Sequence, residues 1–140
     1  MRKALHLICL TALIALSGCA RSEPTCGDLL ARIGHKPAAI EYQSCEIEKD
    51  KQGTPSTALY RVKGSHAAEV EKYLSTQFNM PALKRSCCRW DAPNGSYADE
   101  KTGYSYTITM LSDDTSVSER ENWPQIPYFH ILVSSYSEFP

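Results

Sequence analysis

The sequence lacks the short patterns that announce chemistry. There is no G-x-S-x-G elbow, no C-x-x-C pair, no H-x-x-x-H and no glycine-rich phosphate loop after a strand. It also has no internal repeat, no low-complexity tract and no charge run. Each absence removes a class: the serine-hydrolase elbow, the thioredoxin-type dithiol, the common zinc sites and nucleotide binding. The histidines stand singly, His35, His66 and His130 among them. The Asp113-Asp114 pair lacks the D-x-[DN]-x-[DN]-G frame of an EF-hand and reads as a solvated turn. Glu119 and Glu121 around Arg120 read as a solvent-facing charge cluster, and His130, between Phe129 and Ile131, as a partly buried strand histidine. No cofactor, metal or catalytic residue is expected.

What is present begins at the N-terminus. Arg2 and Lys3 precede an apolar run from Ala4 to Leu16. About 13 residues at ~1.5 Å each reach roughly 20 Å, short of the ~30 Å a bilayer core requires. The segment reads as a secretory signal covering residues 1–18, excluded from the fold. Its end, Leu16-Ser17-Gly18-Cys19, resembles the bacterial lipobox. The resemblance implies acylation of Cys19, a membrane attachment through that lipid, and a short tether over residues 19–24. Lipid chains contribute ~0.8 kcal/mol per buried CH₂, so several together anchor durably. Ala20 is not the aspartate associated with inner-membrane retention, which points to the outer membrane facing the periplasm.

Fifteen basic side chains less Arg2 and Lys3 leave 13 against 16 acidic ones, a net charge of −3 from residue 19 onward. With no basic patch, nucleic acid is not an expected partner. The 122 residues from Cys19 suit one small domain, placed at residues 25–140. Cys9 leaves with the signal and Cys19 carries lipid. Cys26, Cys45, Cys87 and Cys88 remain, an even number that reads as two disulfides with three possible connectivities. Adjacent side chains of an extended segment point to opposite faces. A cross pairing, with Cys26 and Cys45 each bonded to one of the doublet, is therefore expected.

Periodicity supplies the elements. "PTCGDLLARIG" reads as a short helix with Thr25 as N-cap and Asp28 in capping-box position. "AAIEYQSCEIEKD" reads as a strand whose apolar phase shifts near Gln43 or Ser44, the mark of a bulge. "STALYRVKG" follows, with Ala58, Tyr60 and Val62 inward. "GSHAAEVEKYLSTQF" is a helix capped by Ser65, with Ala67, Val70, Leu74 and Phe78 on one face, closed by Asn79 and Pro81. After the cysteine strand, Asn94-Gly95 marks a hairpin connection. "YSYTITML" and "YFHILVSSY" alternate as strands, separated by a polar loop that includes "ERENWP". The expected fold class is α+β: an antiparallel sheet of about five strands with two helices packed on one face, disulfide-stapled.

Eight tyrosines and two tryptophans are many for a short chain. They either fill a sheet core short of leucine or form a contact face. Trp90, Tyr97, Arg120 and Trp123 are the candidate binding surface. The segments "GSHAAEVEKYLSTQFNMPALKRSCCRW" and "RENWPQIPYFHILV" resemble a family of small proteobacterial lipoproteins and secreted proteins of unassigned function, with a Cys-Cys-x-Trp motif. Arg89 departs from that pattern, which carries glycine there. The resemblance implies a shared fold and disulfide framework and lends no activity. The expectation is a non-enzymatic, lipid-anchored periplasmic protein that binds another protein, as an immunity or envelope accessory factor. The alternative is a small envelope hydrolase or small-ligand carrier.

Overall fold

The computed structural model describes residues 25–137. Helix α1 (Leu29–Ile33) is one turn, followed by the antiparallel strands β1 (Glu41–Ile47) and β2 (Ser56–Lys63). A 3-10 turn at Gly64–His66 leads into α2 (Ala67–Phe78). Three short strands follow: β3 (Lys84–Ser86), β4 (Arg89–Asp91) and β5 (Gly95–Asp99). The long strand β6 (Tyr104–Ser112), a second 3-10 segment at Arg120–Gln125 and β7 (Tyr128–Tyr136) complete the chain. All pairings are antiparallel, in the order β1-β2-β7-β6-β4-β3, with β5 beside β4 on the far edge of β6.

The expectation of about five strands carrying two helices is thereby corrected. The sheet has seven strands, α1 is five residues long, and only α2, with 12, is a helix of ordinary length. Two local causes account for the difference. The segment around the cysteine doublet folds back on itself, pairing Ser86 with Arg89 across Cys87 and Cys88. The stretch from Gly95 is a strand against β6 rather than a turn, because its backbone packs against the end of α2. A Cβ on Gly95 would lie 2.6 Å from the Phe78 carbonyl oxygen and 2.8 Å from the Met80 nitrogen. Close approach, not turn geometry, requires glycine there.

The strands carry their hydrophobic residues in strict alternation. Ala58, Tyr60 and Val62 of β2, Tyr106, Ile108 and Met110 of β6, and Phe129, Ile131 and Val133 of β7 are all buried on one face. Against that face lie Leu29, Leu30, Val70, Leu74, Phe78, Trp90 and Trp123. Burying side chains of this size is worth roughly 1.5–3 kcal/mol each. Helix α2 buries Ala67, Val70, Leu74 and Phe78, as its spacing predicts, and ends at Asn79 in the left-handed region with φ 54°. Its start differs from expectation. Ser65 lies within the 3-10 turn, and His66 at the N-cap makes no side-chain capping bond. Gly64 touches the second 3-10 segment so closely that a Cβ would sit 2.1 Å from the Trp123 carbonyl oxygen. The bulge expected in β1 is present, between Tyr42 and Ser44.

At α1 the cap is Asp28, not Thr25. Its Oδ1 accepts from the Ala31 amide at 3.1 Å and from the Tyr60 hydroxyl at 3.0 Å. That hydroxyl accepts in turn from the Leu30 amide at 2.8 Å, so one buried phenol joins helix to sheet. Burial pushes the Tyr60 pKa well above the usual phenol value, and the Asp28 charge adds to the rise. Because the folded value is raised, this contribution to stability is complete below the unfolded pKa of about 10 and is lost as pH climbs. Tyr60→Phe leaves the Leu30 amide without its partner. It should cost about 1–2 kcal/mol at neutral pH and make the alkaline fall in stability shallower. Urea unfolding of both proteins at about pH 7 and about pH 11 measures both effects.

Candidate functional site, the open face of the sheet

The same alternation that fills the core sends a second set of side chains to the opposite face. The strand register assembles them into rows. Thr107, Ser134, Thr57 and Glu46 stand side by side across β6, β7, β2 and β1, extended by Ser96 of β5. The next row is Thr109, Leu132, Leu59 and Ser44. The third is Asp91, Leu111, His130, Arg61 and Glu41. Residues directly opposite in such ladders have Cβ atoms ~5 Å apart, so each row is a continuous strip.

Leu59, Leu111 and Leu132 are half-buried, while none of them belongs to the core or packs against it. The polar rows are internally ordered. Thr57 and Ser134 share a hydroxyl hydrogen bond of 2.8 Å, and Thr109 donates to the Ala92 carbonyl at 3.2 Å. Arg61 Nε donates to Glu41 Oε2 at 2.7 Å, which holds the guanidinium further in its charged state. That guanidinium also lies 4.7 Å from the centroid of the Tyr128 ring. His130 Nε2 is 3.2 Å from Asp113 Oδ2. Among the described residues the face carries shallow grooves. One, of about 240 Å³, is lined by Ser44, Glu46, Glu48, Thr57, Leu59 and Leu132. Another runs past Thr107, Thr109 and Tyr136, and neither of these takes in His130.

Of the candidate surface Trp90, Tyr97, Arg120 and Trp123, burial removes the two tryptophans, while Tyr97 is half-buried and Arg120 exposed. Trp90 and Trp123 are 5% and 1% exposed, their rings 5.2 Å apart and edge-on. Tyr97 packs on Phe78 and Tyr106 on the core side. Arg120 lies over both indoles, 5.6 Å from Trp90 and 4.6 Å from Trp123. Its guanidinium grips Glu71 through two bonds, 2.7 and 3.0 Å, and donates to the Leu83 carbonyl. Glu71 also accepts from the Leu83 amide at 2.6 Å. Trp90, Trp123, Arg120 and Glu71 form a structural clasp that locks the segment after α2 to the loop before β7; of the tyrosines, Tyr60 and Tyr106 are buried in the core, while Tyr42, Tyr128 and Tyr136 lie outside it.

The cysteines also depart from expectation. Cys26 bonds Cys45, and Cys87 bonds Cys88. The cross pairing required the doublet to lie within an extended strand. Instead both residues form the two-residue turn between β3 and β4, with Cys87 at φ 51°, so neither is presented to the β1 edge where Cys45 sits. Cys19, the lipidation site implied by the lipobox resemblance, lies outside the described residues. Among the described residues no cluster of three or more His, Cys, Asp or Glu could hold a metal ion. No described helix is long and apolar enough to cross a membrane.

Sequence reasoning located the inward phase of each strand and passed over the outward one. The signal was there. Thr57, Leu59 and Arg61, and Tyr128, His130, Leu132, Ser134 and Tyr136, form a second periodic set with leucine at the centre of each strand.

No curated protein and no solved structure matches the chain. The model of a family described as a domain of unknown function, DUF4952, matches residues 16–90, from the end of the apolar N-terminal run to Trp90. The match takes in α1, β1, β2, α2 and β3, and so half of the four-strand open face. Covering more than half of the sequence, it places the chain in the DUF4952 family.

Proposed function

We propose that this chain is a lipid-anchored envelope protein without catalytic activity, which binds a second protein through the open face of its sheet. One observation carries the reading: among the described residues, none forms a layer over a four-strand surface with half-buried Leu59, Leu111 and Leu132 at its centre. Hydroxyl and charged rows flank those leucines, the apolar centre and polar rim of a protein contact surface. The partner suited to it is a protein with a flat apolar patch, bordered by charges that answer the Glu41–Arg61 pair. The Leu16-Ser17-Gly18-Cys19 pattern supports the anchor, and Ala20 supports outer-membrane placement facing the periplasm. Within this reading, the protein neutralises a toxin or serves envelope assembly.

The test is capture from intact envelopes with the tagged, full-length chain, followed by mass spectrometry, alongside Leu132→Arg and Cys19→Ala. Leu132 is half exposed on the open face, so the charge should spare the fold while disrupting docking. One stoichiometric protein should accompany the unmodified chain, fall at least tenfold with Leu132→Arg, and decline with Cys19→Ala. Identical captures from all three would contradict both the surface and the anchor.

A further inference from the structure

We infer that Cys87–Cys88 is an exchangeable disulfide, open to reduction and reoxidation by the dithiol of a second protein, while Cys26–Cys45 is the structural bridge. The two bonds differ in what they enclose. Cys26 and Cys45 are 19 positions apart and join the segment before α1 to an edge strand. Cys87 and Cys88 are neighbours, so their bond spans no chain between them and restrains almost none of the unfolded ensemble. A bond that encloses nothing is not needed as a staple.

The hairpin around the doublet is secured by other means. Lys84, Arg85 and Ser86 pair with Asp91, Trp90 and Arg89. The Trp90 amide donates to Ser112 Oγ at 2.9 Å and its indole N–H to the Val117 carbonyl at 2.9 Å. The Thr115 amide donates to the Cys88 carbonyl at 2.7 Å, and Arg85 reaches the Thr115 carbonyl. None of these contacts uses sulfur, so opening the bond leaves the tip in place.

Access and electrostatics favour exchange. Both cysteines are exposed, whereas Cys26 and Cys45 are half-buried. Lys84, Arg85 and Arg89 flank the doublet; the acids nearby are Asp91, 3.4 Å from Arg89, and Asp114, next to the Thr115 that bonds the Cys88 carbonyl. A cationic setting stabilises thiolates, both the one that attacks and the one that leaves.

The exchange proceeds in two displacements. A partner thiolate attacks one sulfur, the Cys87–Cys88 bond breaks, and the departing thiolate takes up a proton. The partner's second thiol then attacks the mixed disulfide, releasing the other cysteine. Two electrons and two protons pass to the doublet, and the partner leaves as a disulfide; oxidation runs the same steps backwards.

The experiment equilibrates the full-length protein with graded mixtures of reduced and oxidised glutathione. Acid quenching, alkylation and peptide mass spectrometry then read each cysteine separately. Cys87 and Cys88 should open together, at a thiol-to-disulfide ratio at least tenfold lower than Cys26–Cys45 requires, a separation of ~30 mV or more. The circular dichroism spectrum should not change as they open. Opening of Cys26–Cys45 first or at the same ratio would overturn the inference, as would opening of the doublet only after denaturation. So would a doublet left as free thiols in excess oxidised glutathione.

Discussion

Arg120→Ala should destabilise the domain by about 3 kcal/mol, because it strands a buried carboxylate. Glu71 is 8% exposed, and its two oxygens are taken up by the Arg120 guanidinium and the Leu83 amide. Without Arg120, the buried carboxylate keeps one partner, the Leu83 amide. The arginine's own side chain is 43% exposed, so the loss belongs at the lower end of the range for broken buried pairs. The same change also removes the guanidinium stacked on the two indoles. For a domain of this size the loss corresponds to a fall in Tm of about 10 °C. The double variant Glu71→Leu with Arg120→Met should recover most of it, since an apolar pair leaves no stranded charge. Thermal and urea unfolding of the three proteins decide the matter. An Arg120→Ala protein within ~0.5 kcal/mol of the parent would mean that the clasp carries no stability.

Removing the long-range disulfide is the second large effect expected. Opening a loop of the length between Cys26 and Cys45 restores unfolded-state entropy worth ~3 kcal/mol. The Cys26→Ser, Cys45→Ser protein should lose about that much, and β1, the edge strand that Cys45 ties down, should exchange its amides first. The Cys87→Ser, Cys88→Ser protein should stay within ~0.5 kcal/mol of the parent. Ranking the two double variants by urea midpoint checks both statements at once. A larger loss from the adjacent pair would reverse the roles assigned to the two bonds.

Single strands and one helix were legible in the sequence, although the strand count and the helical layer were not. Ala58-x-Tyr60-x-Val62 and Phe129-x-Ile131-x-Val133 announce a buried face because successive strand side chains alternate. The shifted phase in β1 announces the bulge between Tyr42 and Ser44. The spacing of Val70, Leu74 and Phe78 identifies α2. What stayed hidden depended on contacts distant in sequence. Asn94-Gly95 carries a hairpin-turn signature, yet Gly95 opens a strand because the end of α2 presses on it. Cys87-Cys88 carries no recognised turn signature, so the β3–β4 hairpin and the adjacent bond went unread. Arg120 finds Glu71 across 49 positions, and that pairing buries the tryptophans expected at the surface. Local caps failed in a smaller way: Asp28 displaces Thr25 because Tyr60 holds the same carboxylate. The outward rows of the sheet were readable one strand at a time. That nothing in the described chain covers them became apparent only once the strands were placed side by side.

The most direct measurement places a photo-crosslinking amino acid at Leu59 or Leu132 on the open face, and at exposed Lys72 on α2 as control. The full-length chain with Cys19 intact is irradiated in living cells. One protein should crosslink from both open-face positions and be absent from position 72. No protein crosslinked from the open face, or the same products from all three positions, would contradict binding through that face.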